Sequence, residues 1–285
     1  MDDVIDLPRL LCAFFAGAFL CLSGSFTQVS LRNPLAAPST LGIDGLGVLG
    51  VLICFFLGIP SFYLLLFLCG SIGLVFFTKN KTRAYKVYYG VNTNRIILIG
   101  LSFNLLVGAI FSLLQFLMMA FNLDFPSSIW FGNFKFIHSE ALLVLVLLFF
   151  LAFSFIYKNA EKLEVFSFGD QFAQNLNIDS EQIKKMILCI ACVLNIAVIL
   201  YCGVFSFLGL LLPHLLRLIP CISKSFKLEV LLGPIIGGAF LMLIDSLCYL
   251  FPVYGAEIPA GMIFSVLGAI ALLVLLLKQN ITIND

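Results

Sequence analysis

The sequence predicts an all-α membrane protein: a polytopic helical bundle of about nine spans, built as a single domain over residues 1–285. Hydrophobic residues make up 62% of the chain and charged residues 11%, whereas soluble domains hold about 45–50% apolar and about 25% charged residues. The apolar residues also fall into runs near the roughly 17–25 residues that cross a bilayer as a helix. The longest polar stretch, Lys158 to Lys185, is too short for a separate soluble domain.

The predicted spans follow one another with short connections. They cover residues 10–28, 42–58, 60–78, 95–120, 139–157, 186–203, 204–219, 228–251 and 259–277. If the short segment 204–219 also crosses, every one of the 16 Lys and Arg residues except Arg9 and Lys135 falls on one side. The positive-inside rule makes that side the cytoplasm. We therefore expect the C-terminus in the cytoplasm and the acidic N-terminus outside.

The segment from Arg32 to Gly42 lies between two predicted spans but cannot continue either of them as a helix. Pro34, Pro38 and Gly42 interrupt it, because proline removes a backbone donor and clashes within a helix. Irregular backbone at membrane depth is tolerated only where protein or a water-filled cavity satisfies its polar groups. The segment therefore favours a packed transport protein over a simple membrane anchor.

The span 95–120 carries small and polar residues at every fourth position, which places them on one helical face. They are Gly100, Asn104, Gly108 and Ser112. Small residues allow close packing of membrane helices, whereas a polar row is tolerated beside a water-filled pathway. The pattern alone supports both interpretations, a packing face and a pathway-lining face.

The span 228–251 repeats this spacing in Gly233, Gly237, Leu241 and Asp245. A carboxylate costs about +2.5 to +3.5 kcal/mol at the centre of a membrane helix and less near its ends. Asp245 lies in the last two turns, toward the outer rim. It is either a hydrogen-bond partner for a neighbouring span or an ion-coupling carboxylate.

The sequence carries no pattern for a catalytic or metal site. Its two histidines, His138 and His214, lie in different loops, and we interpret His214 as a cap of the short helix near Arg217. Cys189 and Cys192 form a Cys-x-x-Cys inside a predicted membrane helix, where thiols behave as small packing residues. Because no glycine-rich phosphate loop is recognisable either, we expect the chain to be no enzyme and to carry no ATPase of its own.

The one sizeable segment on the predicted cytoplasmic side covers residues 161–182, where charged and apolar residues are mixed. Such amphipathic pieces dock on the protein's own spans or on a soluble partner. The pattern predicts two short helices with a break near Asn177. Asp179 or Ser180 is the expected N-cap after that break, because short polar side chains accept hydrogen bonds from free N–H groups at a helix start.

Seven short runs occur in order along nearly the whole chain. They are Leu7-Pro8-Arg9; Ser23-Gly24 with Gln28, followed by Arg32-Asn33-Pro34-Leu35-Ala36 and Leu41-Gly42; Trp130 with Gly132; Phe168-Gly169-Asp170 with Ala173 and Leu176; Gly203, Phe205, Phe207-Leu208-Gly209-Leu210, Pro213-His214 and Arg217; Asp245; and Glu257-Ile258-Pro259 with Gly261. In this order and spacing they resemble the FecCD-type permeases of ABC importers for ferric siderophores, haem and cobalamin.

The resemblance implies a ten-span fold with inverted repeats, in which the break at Phe207–Pro213 is the counterpart of the Gln28–Gly42 region. It implies a bacterial plasma (inner) membrane protein that pairs with a second permease copy, identical or different. ATP and Mg²⁺ would bind a separate cytoplasmic ABC ATPase, and an extracytoplasmic solute-binding protein would deliver a metal chelate. This chain would bind no cofactor and no nucleic acid.

The resemblance also implies roles for individual residues. Coupling to the ATPase falls to Gly169, Asp170, Ala173 and Leu176 within the coupling helices of 161–182. The cytoplasmic gate falls to Asn92, Thr93 and Asn94, the pathway to Gly100, Asn104, Gly108 and Ser112, and docking of the binding protein to Arg9. Further family-motif positions are Gln28, Asn33, Pro34, Pro213, His214, Arg217, Asp245, Glu257 and Pro259.

Three departures from the family pattern stand out. Only seven residues precede Pro8, so we expect the span that precedes Leu-Pro-Arg in the family to be missing. Two positions that often hold docking arginines are Asp6 and Tyr249, and a motif glycine is replaced by Asn177. A specialised subunit that pairs with a full-length permease is therefore one alternative, and a secondary transporter driven by an ion gradient through Asp245 is another. Ferric siderophore is the expected cargo, with haem and cobalamin left open.

Overall fold

The computed structural model describes residues 6–60, 93–123, 127–134, 139–253 and 257–281. In this part of the chain nine α-helices form one bundle: α1 (Leu7–Leu31), α2 (Ile43–Leu57), α3 (Thr93–Ala120), α4 (Ser139–Ser167), α5 (Asp170–Asn175), α6 (Ser180–Cys202), α7 (Leu208–Arg217), α8 (Phe226–Leu250) and α9 (Ala260–Ile281). Two 3₁₀ turns accompany them, Pro38–Leu41 and Ser127–Phe131. The all-α prediction is confirmed, while nearly all of the predicted span 60–78 lies outside the described residues.

The central helix of the bundle is α1. Helices α4, α6, α7 and α8 all pack against it, and 78% of its apolar stretch is buried, against 17% in α3. Its buried positions are rich in small residues: Ala13, Ala16, Gly17, Ala18, Ser23, Gly24 and Ser25. Because lipid supplies no hydrophobic force between helices, such residues stabilise the bundle by letting the helices approach closely.

Helices α1 and α8 meet through glycines on both sides. A Cβ atom on Gly17 would lie 2.4 Å from the carbonyl oxygen of Gly237, and a Cβ on Gly237 would lie 2.7 Å from Cβ of Cys21. The small-residue face of α8 is thus a packing face against α1. Asp245, further along α8, comes to the beginning of α1.

The interrupted segment after α1 is irregular, as predicted. Arg32 ends α1 with a φ of +50°, and Gly42 begins α2 with a φ of +81°. Between them the side-chain oxygen of Asn33 accepts a hydrogen bond of 2.9 Å from the backbone N–H of Leu35. This segment folds back between α1 and α3 and forms part of the site described below.

The second break lies earlier than predicted. The irregular backbone covers residues 203–207, where Gly203 has a φ of +87° and Phe207 a φ of +64°, and Pro213 lies inside α7 rather than at a break. Helix α7 holds 10 residues and is therefore about 15 Å long, half of the roughly 30 Å hydrocarbon core. A crossing by 204–219 would need the irregular residues before α7 in addition to the helix, and that crossing stays a prediction.

The predicted coupling segment contains one short helix instead of two. Its first residues continue α4 to Ser167, and only α5 is a separate short helix. The predicted break is present at Asn177, whose φ is +56°, a conformation that asparagine tolerates better than most residues. Asp179 is the N-cap of α6, because its Oδ1 accepts a hydrogen bond of 3.0 Å from the N–H of Gln182.

Candidate functional site

A groove of about 790 Å³ lies between the beginning of α2, the Pro38–Leu41 turn, α3 and α9. Asn104, Gly108 and Ser112, three of the four predicted pathway residues, line it. Gly100 does not: a Cβ at this position would lie 2.4 Å from the carbonyl oxygen of Thr40. The face of α3 is therefore divided, with close packing at Gly100 and groove lining beyond it, while the pathway role of these four residues stays a prediction.

Asn104 lies at the boundary between the two parts and fixes the turn to α3. Its Oδ1 accepts a hydrogen bond of 2.7 Å from the backbone N–H of Gly45, and its Nδ2 donates to the carbonyl oxygen of Ser39. One amide thus satisfies a backbone carbonyl of the Pro38–Leu41 turn and a free N–H in the first turn of α2, as burial of such backbone requires. The same side chain forms part of the groove wall.

The divided face predicts opposite outcomes for one substitution at two positions. Gly100→Ala is expected to destabilise the protein by about 1–3 kcal/mol, because the methyl group meets backbone. Gly108→Ala is the matched control, since a Cβ there would meet only the ring of Trp130 at 3.9 Å. Thermal unfolding of the two purified variants in detergent tests this, and equal midpoints would contradict the division.

Asp44 is a groove residue that sequence reasoning missed. It lies in the first turn of α2 and lines the groove, and its Oδ1 accepts a hydrogen bond of 2.8 Å from Nδ2 of the buried Asn195 on α6. The available signal was a carboxylate at the start of a predicted apolar span. Its partner Asn195 lies 151 residues further along the chain, so no local pattern identifies the pair.

An ionic cluster joins the beginning of α1 to the end of α8 and the residues before α9. The guanidinium of Arg9 donates to both carboxylate oxygens of Asp245 at 2.7 and 3.1 Å, and to Oε2 of Glu257 at 2.8 Å. The ring of Tyr249 lies 4.9 Å from the guanidinium carbon. Of the two interpretations of Asp245, the structure shows a hydrogen-bond partner for a neighbouring span; docking by Arg9 stays a prediction.

A second ionic cluster joins the opposite end of α1 to α7 and α8. Arg217 donates to both oxygens of the buried Glu229 at 2.9 and 2.7 Å and to Oε1 of Gln28 at 2.7 Å. The hydroxyl of Ser25 donates to Oε1 of Glu229 at 2.7 Å. Sequence reasoning named Gln28 and Arg217 but missed Glu229, which the apolar run around it conceals. His214 contacts the carbonyl oxygen of Leu210, one turn back in its own helix, at 2.9 Å.

Comparison of the chain with known proteins identifies its family. A model of the FecCD transport family matches residues 4–278. The chain belongs to the FecCD transport family. It is a transmembrane permease of the ABC importer class, as its apolar helices also indicate.

Two relatives and one solved structure illustrate the similarity. The iron(3+)-hydroxamate import system permease protein FhuG of Bacillus subtilis is 31% identical, over 96% of this chain and 82% of that protein. The vitamin B12 import system permease protein BtuC of Photorhabdus laumondii is 30% identical, over 96% and 81%. A solved ABC transporter assigned to the metal-chelate type, in an inward-facing conformation, is 25% identical with a TM-score of 0.75, over 95% of this chain and 87% of that chain.

In this FecCD-family permease the predicted coupling residues lie within α5 or directly beside it. Gly169 precedes the helix with a φ of +134°, the side chain of Asp170 is 54% exposed, Ala173 is buried and Leu176 is 53% exposed. The turn therefore presents one acidic and one apolar side chain outward. Of the predicted gate, Asn92 and the side chains of Thr93 and Asn94 lie outside the described residues.

Arg32 connects this turn to the interrupted segment after α1. Its guanidinium donates to the carbonyl oxygens of Ser167 at 2.9 Å and Phe166 at 2.7 Å, and to Oδ1 of Asp170 at 3.2 Å. It also lies over the Phe166 ring, 4.8 Å from its centroid. The end of α4, the start of α5 and the end of α1 are thus held by one side chain. Of the remaining motif residues, Asn33 and Pro34 lie in the turn after α1, and Pro259 directly precedes α9.

Proposed function

We propose that this permease carries a metal chelate, with ferric siderophore as the first expectation, in an ATP-driven importer. The groove supports the proposal. It is large and partly polar, and it is lined by the helix face that the family resemblance assigns to the pathway. The relatives FhuG and BtuC, named for iron(3+)-hydroxamate and vitamin B12 import, support cargo of this class.

A second permease copy would complete the pathway. α3 forms one wall of the groove, yet side chains of α3 outside this wall are also exposed: Leu98, Leu113 and Phe116 by 59–68%. In the described part of the chain the groove is likewise open along one side. A copy packed beside α3 would cover apolar surface and turn two open grooves into one enclosed pathway.

The proposed mechanism requires no covalent chemistry from this chain. ATP binding to the separate ATPase pushes on 161–182, and Arg32 passes the displacement from α5 to the end of α1 and to the interrupted segment. That segment contributes Ser39 and Thr40 to the wall of the groove. The permease thereby contributes a coupling free energy between the ATPase contact and the pathway.

Uptake into proteoliposomes tests the function directly. The permease is reconstituted with its ATPase and solute-binding protein, and ferric hydroxamate, haemin and cobalamin are supplied outside. We expect uptake of at least one chelate that requires ATP and persists when proton and sodium gradients are collapsed. Uptake that follows an ion gradient without ATP would overturn the proposal.

Substitutions at the start of α5 are expected to separate ATP hydrolysis from transport. Gly169→Arg or Asp170→Lys alters the exposed turn and, for Asp170, removes the partner of Arg32. We expect uptake to fall at least tenfold, about 1.4 kcal/mol of coupling, while membrane insertion and basal ATP hydrolysis persist.

The control for the coupling variants is Lys158→Glu, a charge reversal at an exposed position of α4 outside residues 161–182. It should transport normally. Retention of wild-type uptake by both Gly169→Arg and Asp170→Lys would show that α5 is not the coupling element.

A further inference from the structure

We propose that Asp44 makes the transport groove selective by charge, favouring cationic and neutral metal chelates over anionic ones. This inference rests on the proposed function, because it concerns the cargo of the same groove. Its chemical consequence is a preference for ferric trihydroxamates over haem and over ferric catecholates. Fe³⁺ bound by hydroxamate groups forms a neutral or cationic complex, whereas haem carries propionates and ferric catecholates are strongly anionic.

The first observation is the isolation of the Asp44 charge within the groove. Among the described residues that line it, Asp44 has the only ionisable side chain, and no Lys, Arg or His is present. The other polar groups are neutral: Ser39, Thr40, Asn104, Ser112 and Ser206. In the described part of the wall nothing cationic is therefore available to bind a carboxylate, catecholate or propionate of the cargo.

The second observation is that the carboxylate is held in place. Oδ1 accepts the hydrogen bond of 2.8 Å from Asn195, and Asn195 itself is only 3% exposed. Among the described residues no hydrogen bond to Oδ2 is found, and this oxygen is available to the groove. The position in the first turn of α2 adds the stabilising field of free backbone N–H groups. An oriented carboxylate thus faces the space where cargo passes.

The third observation concerns the surroundings of the charge. Apolar side chains dominate the rest of the wall, among them Leu101, Leu105, Trp130 and Phe131. Charges interact more strongly near low-dielectric walls than in water, because water screens them less. A second permease copy would bring a second Asp44 to the same pathway. The repulsion of anionic cargo and the attraction of cationic cargo would both increase.

The test uses one chelate in three charge states. Ferric desferrioxamine B with its free amine is cationic, its N-acetyl derivative is neutral and its N-succinyl derivative is anionic, while the iron centre is the same in all three. Uptake is measured with the complete importer in proteoliposomes, for the wild-type permease and for Asp44→Asn. The substituted amide oxygen can still accept the hydrogen bond of Asn195, so that the fold is retained. Any selectivity of the binding protein cancels when the two permeases are compared.

We expect the wild-type ratio of cationic to anionic uptake to exceed that of Asp44→Asn by about tenfold, as for the loss of one nearby charge in a partly dry groove. Ser112→Ala is the control, because it changes the groove wall without changing its charge, and it should keep the wild-type ratio. Equal ratios in the wild type and Asp44→Asn would overturn the inference while leaving the proposed function intact.

Two further outcomes separate the inference from the function beneath it. ATP-dependent uptake of haemin or a ferric catecholate without uptake of any trihydroxamate would overturn the charge selectivity and leave chelate transport standing. Absence of ATP-dependent uptake for every chelate would overturn the proposed function, and the inference with it.

Discussion

Replacing Arg9 by leucine is expected to destabilise the permease by about 3–5 kcal/mol, the usual cost of removing one partner from a buried ion pair. The side chain of Asp245 is only 2% exposed and that of Arg9 11%, so the carboxylate left behind would be buried without a compensating charge. Glu257 would lose its partner at the same time. The effect is measured as the thermal midpoint of unfolding of the purified variant in detergent. Loss of the monodisperse size-exclusion peak on heating is the readout.

The double variant Arg9→Leu with Asp245→Asn is the decisive comparison. Because it removes both buried charges, it should recover part of the stability that the single variant loses. Lys227→Leu is the control for loss of a cation: its pair with Glu161 spans 3.7 Å between side chains that are 43% and 89% exposed, and such pairs contribute about 0–1 kcal/mol. The assignment fails if Arg9→Leu unfolds at the same temperature as Lys227→Leu.

Several features of the fold follow from sequence because their causes are local. The apolar runs predict helices, since the thickness of a bilayer sets the length of a span. The interruption at Pro34, Pro38 and Gly42 predicts the irregular segment, because these residues limit the backbone wherever they occur. Asp179 as an N-cap is predicted for the same reason, since its acceptor reaches an N–H only three residues away.

Other features depend on partners distant in sequence and could not be predicted. Glu229 and Asp44 lie in apolar runs, and each has a partner far away in sequence: Ser25 lies 204 residues from Glu229, and Asn195 lies 151 residues from Asp44. The break before α7 ends at Phe207, whose positive φ carries no sequence signal because phenylalanine rarely adopts it. Small and polar residues recur uniformly at every fourth position of α3, so the sequence does not distinguish them. The Pro38–Leu41 turn nevertheless covers only the first of them, Gly100.

The contacts of α1 explain why motif residues from separate parts of the chain form one unit. Both ends of α1 are joined to α8 by ionic clusters, at Arg9 and at Gln28, and its middle packs on α8 through Gly17. Such a helix pair has few ways to separate without exposing a buried charge. We therefore expect α1 and α8 to move together during transport, while the groove wall around α2 and α3, which is less buried, changes its position relative to them.

The contact of α1 with α7 leads to the second large expected effect, for Gly24→Ala. A Cβ on Gly24 would lie 1.7 Å from the carbonyl oxygen of Gly209 and 3.0 Å from Cγ of Pro213. Pro213 has no N–H, so it cannot donate the usual helical hydrogen bond to that oxygen, and the oxygen is directed at the backbone of Gly24 instead. Because the obstacle is backbone, the helices must separate, and we expect a loss of more than the about 1–3 kcal/mol typical of an overpacked core.

Gly209→Ala provides the matched control on the opposite side of the same contact. A Cβ there would meet the carbonyl oxygen of Leu20 and Cδ of Pro38 at 3.4 Å, ordinary van der Waals contact, and alanine improves helix propensity by about 0.5–1 kcal/mol over glycine. The Gly209→Ala variant should therefore unfold near the wild-type temperature, and Gly24→Ala well below it or fail to accumulate in the membrane. Similar unfolding temperatures for the two alanine variants would mean that α1 and α7 do not approach through this glycine pair.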